Sequence, residues 1–161
     1  MFKDSSGNID LINCKKTAFL CSQQCPADIV LKSYDWAIEQ RDKGNCVISG
    51  FHSKIEKDVF HFLLKGKQPI ILALARGLKK RYEPQIQKAI NGNRLLIISP
   101  FGESVKRITK ETAIKRNEMM AKVADEIFVA YASQNGKLIN LMERSISEGK
   151  KVFTFNSSGK N

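Results

Sequence analysis

The sequence predicts an α/β protein with a doubly wound, mostly parallel sheet of about six strands and helices on both faces. Short apolar runs alternate strictly with segments whose apolar residues recur at helical spacing. The runs are continuously apolar, as in residues 95–98, which is typical of parallel strands covered on both faces. Because crossovers between parallel strands are right-handed, each helix is expected to pack back over the sheet. The 161 residues are predicted to form one domain, residues 1–161.

The chain begins with a polar segment and a first strand–helix unit. Residues 1–16 show little periodicity and are predicted to be an N-terminal extension. A buried strand at residues 17–21 is followed by Pro26, which suits the first turn of a helix. Helical spacing of apolar residues then extends over residues 27–43, and Gly44 is expected to end this helix.

The second strand, residues 45–49, leads into a turn that favours a helix N-terminus. Ser53 is followed three positions later by Glu56, the pattern of a capping box, and the helix is expected to end near Gly66. Such a strand–turn–helix junction presents free backbone N–H groups and the positive end of a helix dipole, which suit phosphate or another anion. Every crossover in an α/β protein needs a similar turn, so the turn alone does not establish a site. A third strand is predicted at residues 69–75.

The second half of the chain repeats the same alternation. Glycine, proline and asparagine mark its turns, and helical spacing marks its helices. The predicted order is a basic loop at 76–81, a helix at 83–90, a strand at 95–98, a polar loop, a helix at 112–124, a strand at 126–131, a turn at 133–136, a helix ended by Gly149, a strand at 152–155 and a polar tail at 157–161.

The charge of the chain points to an anionic partner. Lys and Arg number 27 against 16 Asp and Glu, which gives a net charge of +11. In a doubly wound sheet, ligands bind at the carboxyl ends of the strands. The loops at that edge carry the predicted nucleic-acid contacts Lys54, Arg76, Lys79, Lys80, Arg81, Lys106, Arg107 and Lys110. The opposite edge is also basic but less densely so, which favours binding over a merely solvated lysine-rich face.

Several classes of protein are not expected. No run approaches the ~20 apolar residues of a membrane span, and the first residues are too polar for a signal peptide, so a cytoplasmic protein without membrane contact is predicted. Of the four cysteines, at positions 14, 21, 25 and 46, Cys21 and Cys46 lie in predicted strands and are expected to be buried thiols of a reducing compartment. The spacing of Cys21 and Cys25 matches no zinc site, so neither a metal nor a cofactor is assigned. No nucleophile elbow or Ser-His-Asp order supports catalysis, although an enzyme is not excluded.

Five short segments follow one another along the chain at the ends of predicted strands and helices. The segments are Ser49-Gly50, Gly77-Leu78-x-x-x-Tyr82-x-Pro84, Arg116-Asn117-x-Met119-Met120-Ala121, Asn135-Gly136-Lys137-Leu138-Ile139 and Glu148-Gly149-Lys150-Lys151-Val152-Phe153. Taken in this order, they resemble the Rossmann-like core of the DNA-processing protein A family (DprA, also called Smf). The resemblance covers about residues 17–155 and is to a compact, single-domain branch of the DprA/LOG-like (SLOG) superfamily.

This resemblance implies a homodimer that binds single-stranded DNA and loads a recombinase. Two motifs differ from the family pattern: Cys21-Ser22-Gln23 stands where the family has Gly-Ser-Arg, and Lys54-Ile55-Glu56 where it has Gly-Ile-Asp. The chain leaves no room for the helical and winged-helix domains of longer members, so recombinase contact is not carried over. Asn140 stands where the related LOG phosphoribohydrolases carry a glutamate, which argues against their reaction.

The predicted site for a phosphate or nucleotide-like ligand combines these motifs with the helix N-termini. Hydroxyl and backbone N–H groups would donate to the anion, and an arginine would bind it bidentately. Its residues are Ser22, Ser49, Gly50, His52, Ser53, Arg116, Asn117, Gly136 and Lys137. Arg116 has an alternative partner in Glu118, and His52 is equally an ordinary loop residue. Tyr82 or Phe101 would stack on a base or serve only in packing.

Three hypotheses follow from the sequence. The first is a non-enzymatic DprA-like module that binds single-stranded DNA along the basic edge. The second is a sensor or phosphoribohydrolase-like enzyme for a small nucleotide-derived ligand in the same pocket. The third is a dimeric scaffold whose basic surface is incidental.

Overall fold

The computed structural model describes the backbone of residues 1–158 and the side chains of residues 1–156. The strands are β1 Asp4–Gly7, β2 Lys16–Cys21, β3 Cys46–Ser49, β4 Ile70–Ala73, β5 Leu95–Ser99, β6 Glu126–Tyr131 and β7 Lys151–Phe153. The helices are α1 Ala27–Lys43, α2 Lys54–Leu64, α3 Pro84–Asn91, α4 Lys110–Val123, α5 Lys137–Ser147 and α6 Phe155–Ser158, with a 3-10 helix at Ile9–Asn13. None of the helices in the described part is long and apolar enough to cross a membrane.

The strands form one seven-stranded sheet in the order β1-β5-β4-β3-β2-β6-β7. All neighbouring strands are parallel except β1, which pairs antiparallel with β5. The chain moves outward from β2 to β5, and α4 then returns it to β6 on the other side of β2. The doubly wound α/β fold is therefore confirmed, and the strand order reverses between β2 and β6.

Two apolar cores lie on the two faces of the sheet. One contains residues of α1, α2 and α3, and the other contains residues of α4, α5 and the 3-10 helix. Successive residues of β2 alternate between them, with Phe19 in the first core and Ala18 and Leu20 in the second. Phe19 stacks on Trp36 of α1 at a ring-centroid distance of 4.8 Å. Both faces are covered, which explains why the strands are continuously apolar.

The N-terminal segment differs from the prediction. Residues 1–16 were expected to be an extension, but they contain β1, the 3-10 helix and the start of β2. The register of β1 on β5 runs from Asp4 opposite Ser99 to Gly7 opposite Leu96. An edge strand is held by backbone hydrogen bonds and leaves half of its side chains in solvent, so a polar sequence can form one without an apolar pattern.

The C-terminal segment also differs in its bounds. The last strand was predicted at residues 152–155, but β7 ends at Phe153 and Phe155 begins α6. Residues 157 and 158 of the predicted polar tail belong to α6, and residues 159–161 lie outside the described part. The remaining predicted strands and helices match the observed elements within a few residues.

Candidate nucleic-acid interface

The predicted ligand residues lie in loops at the carboxyl edge of the sheet and in the helices that follow. Gly50, His52 and Ser53 connect β3 to α2, and Ser22 follows β2. These strands are neighbours in the sheet, so their loops lie side by side. Arg116 reaches the same edge from α4.

The buried carboxylate of Glu56 joins two of these loops. It accepts hydrogen bonds from the backbone N–H groups of His52 at 2.9 Å, Ser53 at 3.3 Å and Cys21 at 3.0 Å. The Ser53 hydroxyl in turn accepts from the Glu56 N–H at 3.3 Å, which confirms the predicted capping box. The chain's own carboxylate therefore occupies N–H groups that were expected to meet an external anion.

Both serine hydroxyls of this turn are also engaged inside the protein. Ser49 is fully buried, and its Oγ accepts from the Phe51 N–H at 3.1 Å. Ser53 is 4% exposed and caps α2. The hydroxyl contacts to a phosphate that the sequence suggested stay predictions, and both serine oxygens already accept hydrogen bonds from backbone N–H groups.

Arg116 is a buried cation packed beside Gly50. It is 5% exposed, its Nη1 donates to the Ala73 carbonyl at 3.2 Å, and its Nε donates to Asn117 Oδ1 at 2.8 Å. A Cβ atom on Gly50 would overlap the guanidinium, so the glycine permits this close approach. Burial lowers the pKa of Arg116, and the charge of Glu56 opposes that shift.

Arg116 takes part in no ion pair among the side chains that the structure describes. Its alternative partner, Glu118, instead pairs with Arg144 of α5 at 3.2 Å. The Asn117 side chain holds the Arg116 guanidinium through its Oδ1. A buried positive charge is costly unless anions or other acceptors compensate it. The charge of Glu56 supplies part of that compensation without a direct ion pair.

His52 is the exposed member of this group. Burial of part of the ring lowers the pKa of His52 below 6.5, and the positive charge of Arg116 lowers it further. Glu56 acts in the opposite direction. The lowered pKa disfavours the imidazolium of His52 in the free protein, and a bound anion would favour it.

Ser22, Gly136 and Lys137 belong to a second group, where the strand order reverses. The Ser22 Oγ accepts from the Ser133 N–H at 2.9 Å, which joins the loops after β2 and β6. Gly136 is the N-cap of α5, and Lys137 is exposed in its first turn. A Cβ on Gly136 would lie 3.0 Å from the Ser133 carbonyl, so tight turn geometry also accounts for this glycine.

Among the predicted nucleic-acid contacts, two side chains are bound to other groups of the protein and six form no ion pair among the described residues. Lys54 pairs with Asp58 of the same helix at 2.9 Å, and Arg76 Nε donates to the Gly77 carbonyl at 3.1 Å. The others are exposed and form no ion pair with any side chain in residues 1–156. They are Lys79, Lys80, Arg81, Lys106, Arg107 and Lys110.

The loop after β4 and the loop after β5, which carry most of these cations, are joined by a backbone hydrogen bond. The Gly77 N–H donates to the Val105 carbonyl at 2.7 Å, and a Cβ on Gly77 would overlap the Gly102 carbonyl. The Tyr82 hydroxyl accepts from the Lys79 N–H at 2.9 Å, which fixes the first loop. Five of the six cations therefore lie on two loops that contact each other, and Lys110 begins α4 directly after the second loop.

Sequence reasoning missed two features of this edge. Glu56 was recognised only as a capping residue, because its bond to Cys21 joins elements that are 35 positions apart. Phe51 was not singled out, yet it has a φ of 47° and lines a cleft between α2 and α3. Side chains capable of holding a metal ion do not cluster in threes anywhere in the described residues.

Comparison with a protein-family model matches residues 4–161 to DNA recombination-mediator protein A. The chain is 26% identical over 155 residues to DNA processing protein DprA of Streptococcus pneumoniae strain ATCC BAA-255 / R6. The alignment covers 94% of this chain and 54% of that protein. The chain thus spans about half the length of this curated relative.

Solved structures share the fold. An X-ray structure of DprA from S. pneumoniae has a TM-score of 0.76 at 24% identity, over 93% of this chain and 53% of that one. A structure of DNA processing protein A from Helicobacter pylori, reported for its single-stranded DNA binding mode, has a TM-score of 0.76 at 16% identity, over 93% and 69%. A molybdenum cofactor binding protein from Rippkaea orientalis reaches 0.63 at 10% identity, over 88% and 76%.

Proposed function

Because the chain belongs to the DNA recombination-mediator protein A family, we propose that it is a DNA-processing protein that binds single-stranded DNA along the carboxyl edge of its sheet. The relative from H. pylori is described by its single-stranded DNA binding mode. The proposal rests on exposed cations that lie on two contacting loops or at the start of α4 and have no carboxylate partners among the described residues. They are Lys79, Lys80, Arg81, Lys106, Arg107 and Lys110. Such a surface attracts a polyanion through phosphate contacts and counterion release.

Gly50, His52 and Arg116 supply the proposed contact with one phosphate of the strand. The Arg116 guanidinium lies against Gly50, and only two of its five N–H groups donate to the protein acceptors described above. His52 is exposed beside it and is able to take up a proton. This assignment replaces the Ser49 and Ser53 hydroxyls as the proposed phosphate donors.

Charge reversal of one basic loop tests the proposal. We expect Lys79→Glu, Lys80→Glu and Arg81→Glu together to weaken binding of a labelled oligothymidylate more than tenfold at low salt. Each lost phosphate contact also lowers the slope of log affinity against log salt by about 0.7 for single strands. Fluorescence anisotropy at several salt concentrations measures both quantities.

A matched triple variant controls for net charge. Lys15, Lys67 and Lys151 are exposed at the amino ends of β2, β4 and β7, so reversing them removes equal charge from the opposite edge. Binding to the strand should fall much less in this control. Equal losses in the two variants, or no binding by the unmodified protein at low salt, would contradict the proposal.

A small anionic nucleotide is the second candidate ligand, because Arg116 is buried beside Gly50 without an ion-pair partner among the described side chains. A nucleotide would then raise the melting temperature by binding the folded state, and Arg116→Ala would abolish that increase. A thermal-shift screen with nucleoside monophosphates tests this second candidate.

We further propose that the protein is a cytoplasmic homodimer, as the family resemblance implies. Light scattering measures the mass of the particle in solution and so tests the dimer.

A further inference from the structure

A cleft of about 270 Å³ opens between α2 and α3, next to the basic loop that follows β4. Its apolar lining includes Phe51, Phe60, Leu72, Leu74 and Ile86. The rings of Phe51 and Phe60 are stacked, with a distance of 4.2 Å between their centroids and an interplanar angle of 13°. The lining of the cleft therefore combines a stacked pair of aromatic rings with aliphatic side chains.

The backbone of Phe51 is held in the left-handed region, with a φ of 47°. For a bulky residue this conformation is strained, and it persists only where the surroundings determine it. Here it buries the ring to 5% exposure and stacks it on Phe60. Strained residues of this kind cluster at binding sites, which gives a second reason, independent of the cleft itself, to consider a ligand.

The rim of the cleft is cationic. Lys57, Arg76 and Lys79 line it together with His61. Glu83 and Gln85 stand on the α3 side and are able to hydrogen-bond the edge of a base. Apolar walls with a positive rim fit a group that is flat and uncharged but attached to a phosphate.

Gly50 connects the cleft to the proposed phosphate contact. It lines the cleft, and its α-carbon also lies against the Arg116 guanidinium. We propose that the cleft between α2 and α3 receives a nucleobase of the bound single strand, with the phosphate of the same or the adjoining nucleotide at Gly50 and Arg116. This inference rests on the proposed binding of single-stranded DNA.

Comparison of a normal strand with an abasic strand tests the inference. The two probes are an oligothymidylate and a deoxyribose-phosphate chain of the same length, which carry the same phosphates. Stacking of a single base corresponds to about a fivefold or greater gain in affinity. The protein should therefore bind the base-bearing strand at least about fivefold more tightly in fluorescence anisotropy measurements.

Two further measurements locate the base. Ile86→Trp should fill the cleft and reduce the preference for the base-bearing strand to less than half, while Leu31→Trp, at a 66% exposed position on α1, should leave the preference unchanged. In the unmodified protein, the methyl NMR signals of Leu72, Leu74 and Ile86 should shift with the base-bearing strand and stay in place with the abasic strand. The NMR measurement needs no variant to fold.

The outcomes separate the inference from the proposed function. If both strands bind equally well, the inference is overturned and DNA binding stands. If the preference exists but the cleft methyl signals do not move, the base lies elsewhere and the inference is again overturned. If neither strand binds at low salt, the proposed function fails and the inference falls with it.

Discussion

Glu56 and Arg116 are buried side chains of opposite charge at the carboxyl edge of the sheet. Glu56 is satisfied by three backbone N–H groups, so it acts as an internal anion at the start of α2. Arg116 has only a carbonyl and an amide oxygen as described acceptors. At this edge, the Glu56 carboxylate thus has more hydrogen-bond partners than the Arg116 guanidinium.

Gly50→Ala should act through Arg116. The added methyl group would displace the guanidinium from the Ala73 carbonyl, and we expect a loss of about 1–3 kcal/mol in the free energy of unfolding. Strand binding should weaken as well. Urea unfolding and anisotropy measure the two effects, and Gly102→Ala, where a Cβ meets only open space and the tip of Lys3, is the matched control.

A double-mutant cycle shows whether the effect passes through the guanidinium. In an Arg116→Ala background, Gly50→Ala should cost less than about 0.5 kcal/mol, because the clashing group is gone. An undiminished cost in that background would show that Gly50 is required for another reason.

His52 should make strand binding depend on pH. The pKa of His52 is lowered in the free protein by burial and by Arg116, and a bound phosphate would raise that pKa by stabilising the imidazolium. Affinity should therefore increase as the pH falls from 8 through the region below 6.5. Anisotropy measurements at constant ionic strength should show a smaller increase for His52→Gln.

The same shift has the opposite consequence for the stability of the free protein. A histidine whose folded pKa is depressed contributes stability above its unfolded pKa and loses that contribution as the pH falls through the folded pKa. Acidification below about pH 6.5 should thus destabilise the unmodified protein more than His52→Gln. An NMR titration that places the pKa of free His52 at or above 6.5 would contradict both expectations.

At the scale of elements, the sequence predicted most of the sheet and helices because local signals agreed with the fold. Pro26 and Gly44 bracket α1 at the predicted residues 27–43, and the Ser53–Glu56 pair begins α2. β1 was not predicted, because its partner β5 lies far along the chain and its own residues show no alternation of apolar and polar residues. Local patterns carry no information about such a pairing.

Arg94 should be essential to the end of α2 rather than to ligand binding. Its guanidinium donates to the carbonyls of Leu63 and Leu64 at the end of α2 and of Gln68 in the loop that follows, at 2.9–3.0 Å. It therefore joins the end of α2 to the loop before β4. Arg94→Met should lower the free energy of unfolding by about 2–3 kcal/mol in urea titrations.

Two further variants test whether the loss of stability comes from the hydrogen bonds that Arg94 donates at the end of α2. Arg94→Lys should restore little, because an ammonium cannot reproduce the planar fork of donors. Arg107→Met, at an exposed loop position, should change stability by less than about 0.5 kcal/mol. Comparable losses at the two arginines would rule out a special role for Arg94.

At the scale of the whole molecule, the sequence predicted which edge carries the basic loops but not which side chains are free. The parallel order of the strands follows from their alternation with helices, and it places those loops together. The pairing of Lys54 with Asp58 and the burial of Arg116 depend on three-dimensional contacts. The cleft beside Phe51 forms only when α2 and α3 pack together, so no single segment of the sequence predicts it.

Gly7→Ala should loosen the β1 edge of the sheet. Gly7 has a φ of 101°, and a Cβ there would overlap the Leu95 carbonyl, so the substitution is strained on two counts. We expect faster hydrogen exchange in β1 and a loss of about 1–3 kcal/mol in the free energy of unfolding. Gly92→Ala, where a Cβ makes only ordinary contacts, is the control, and equal exchange in both variants would refute the expectation.

Because β1 is synthesised before its partner β5, their pairing imposes an order on folding during synthesis. Asn8, just after β1, donates to the Asn93 carbonyl 85 positions later, and Asp4 lies opposite Ser99. β1 must therefore stay unpaired until β5 has been synthesised. A polar sequence with Asp4, Ser5 and Ser6 suits that interval, because it offers other chains little apolar surface on which to aggregate.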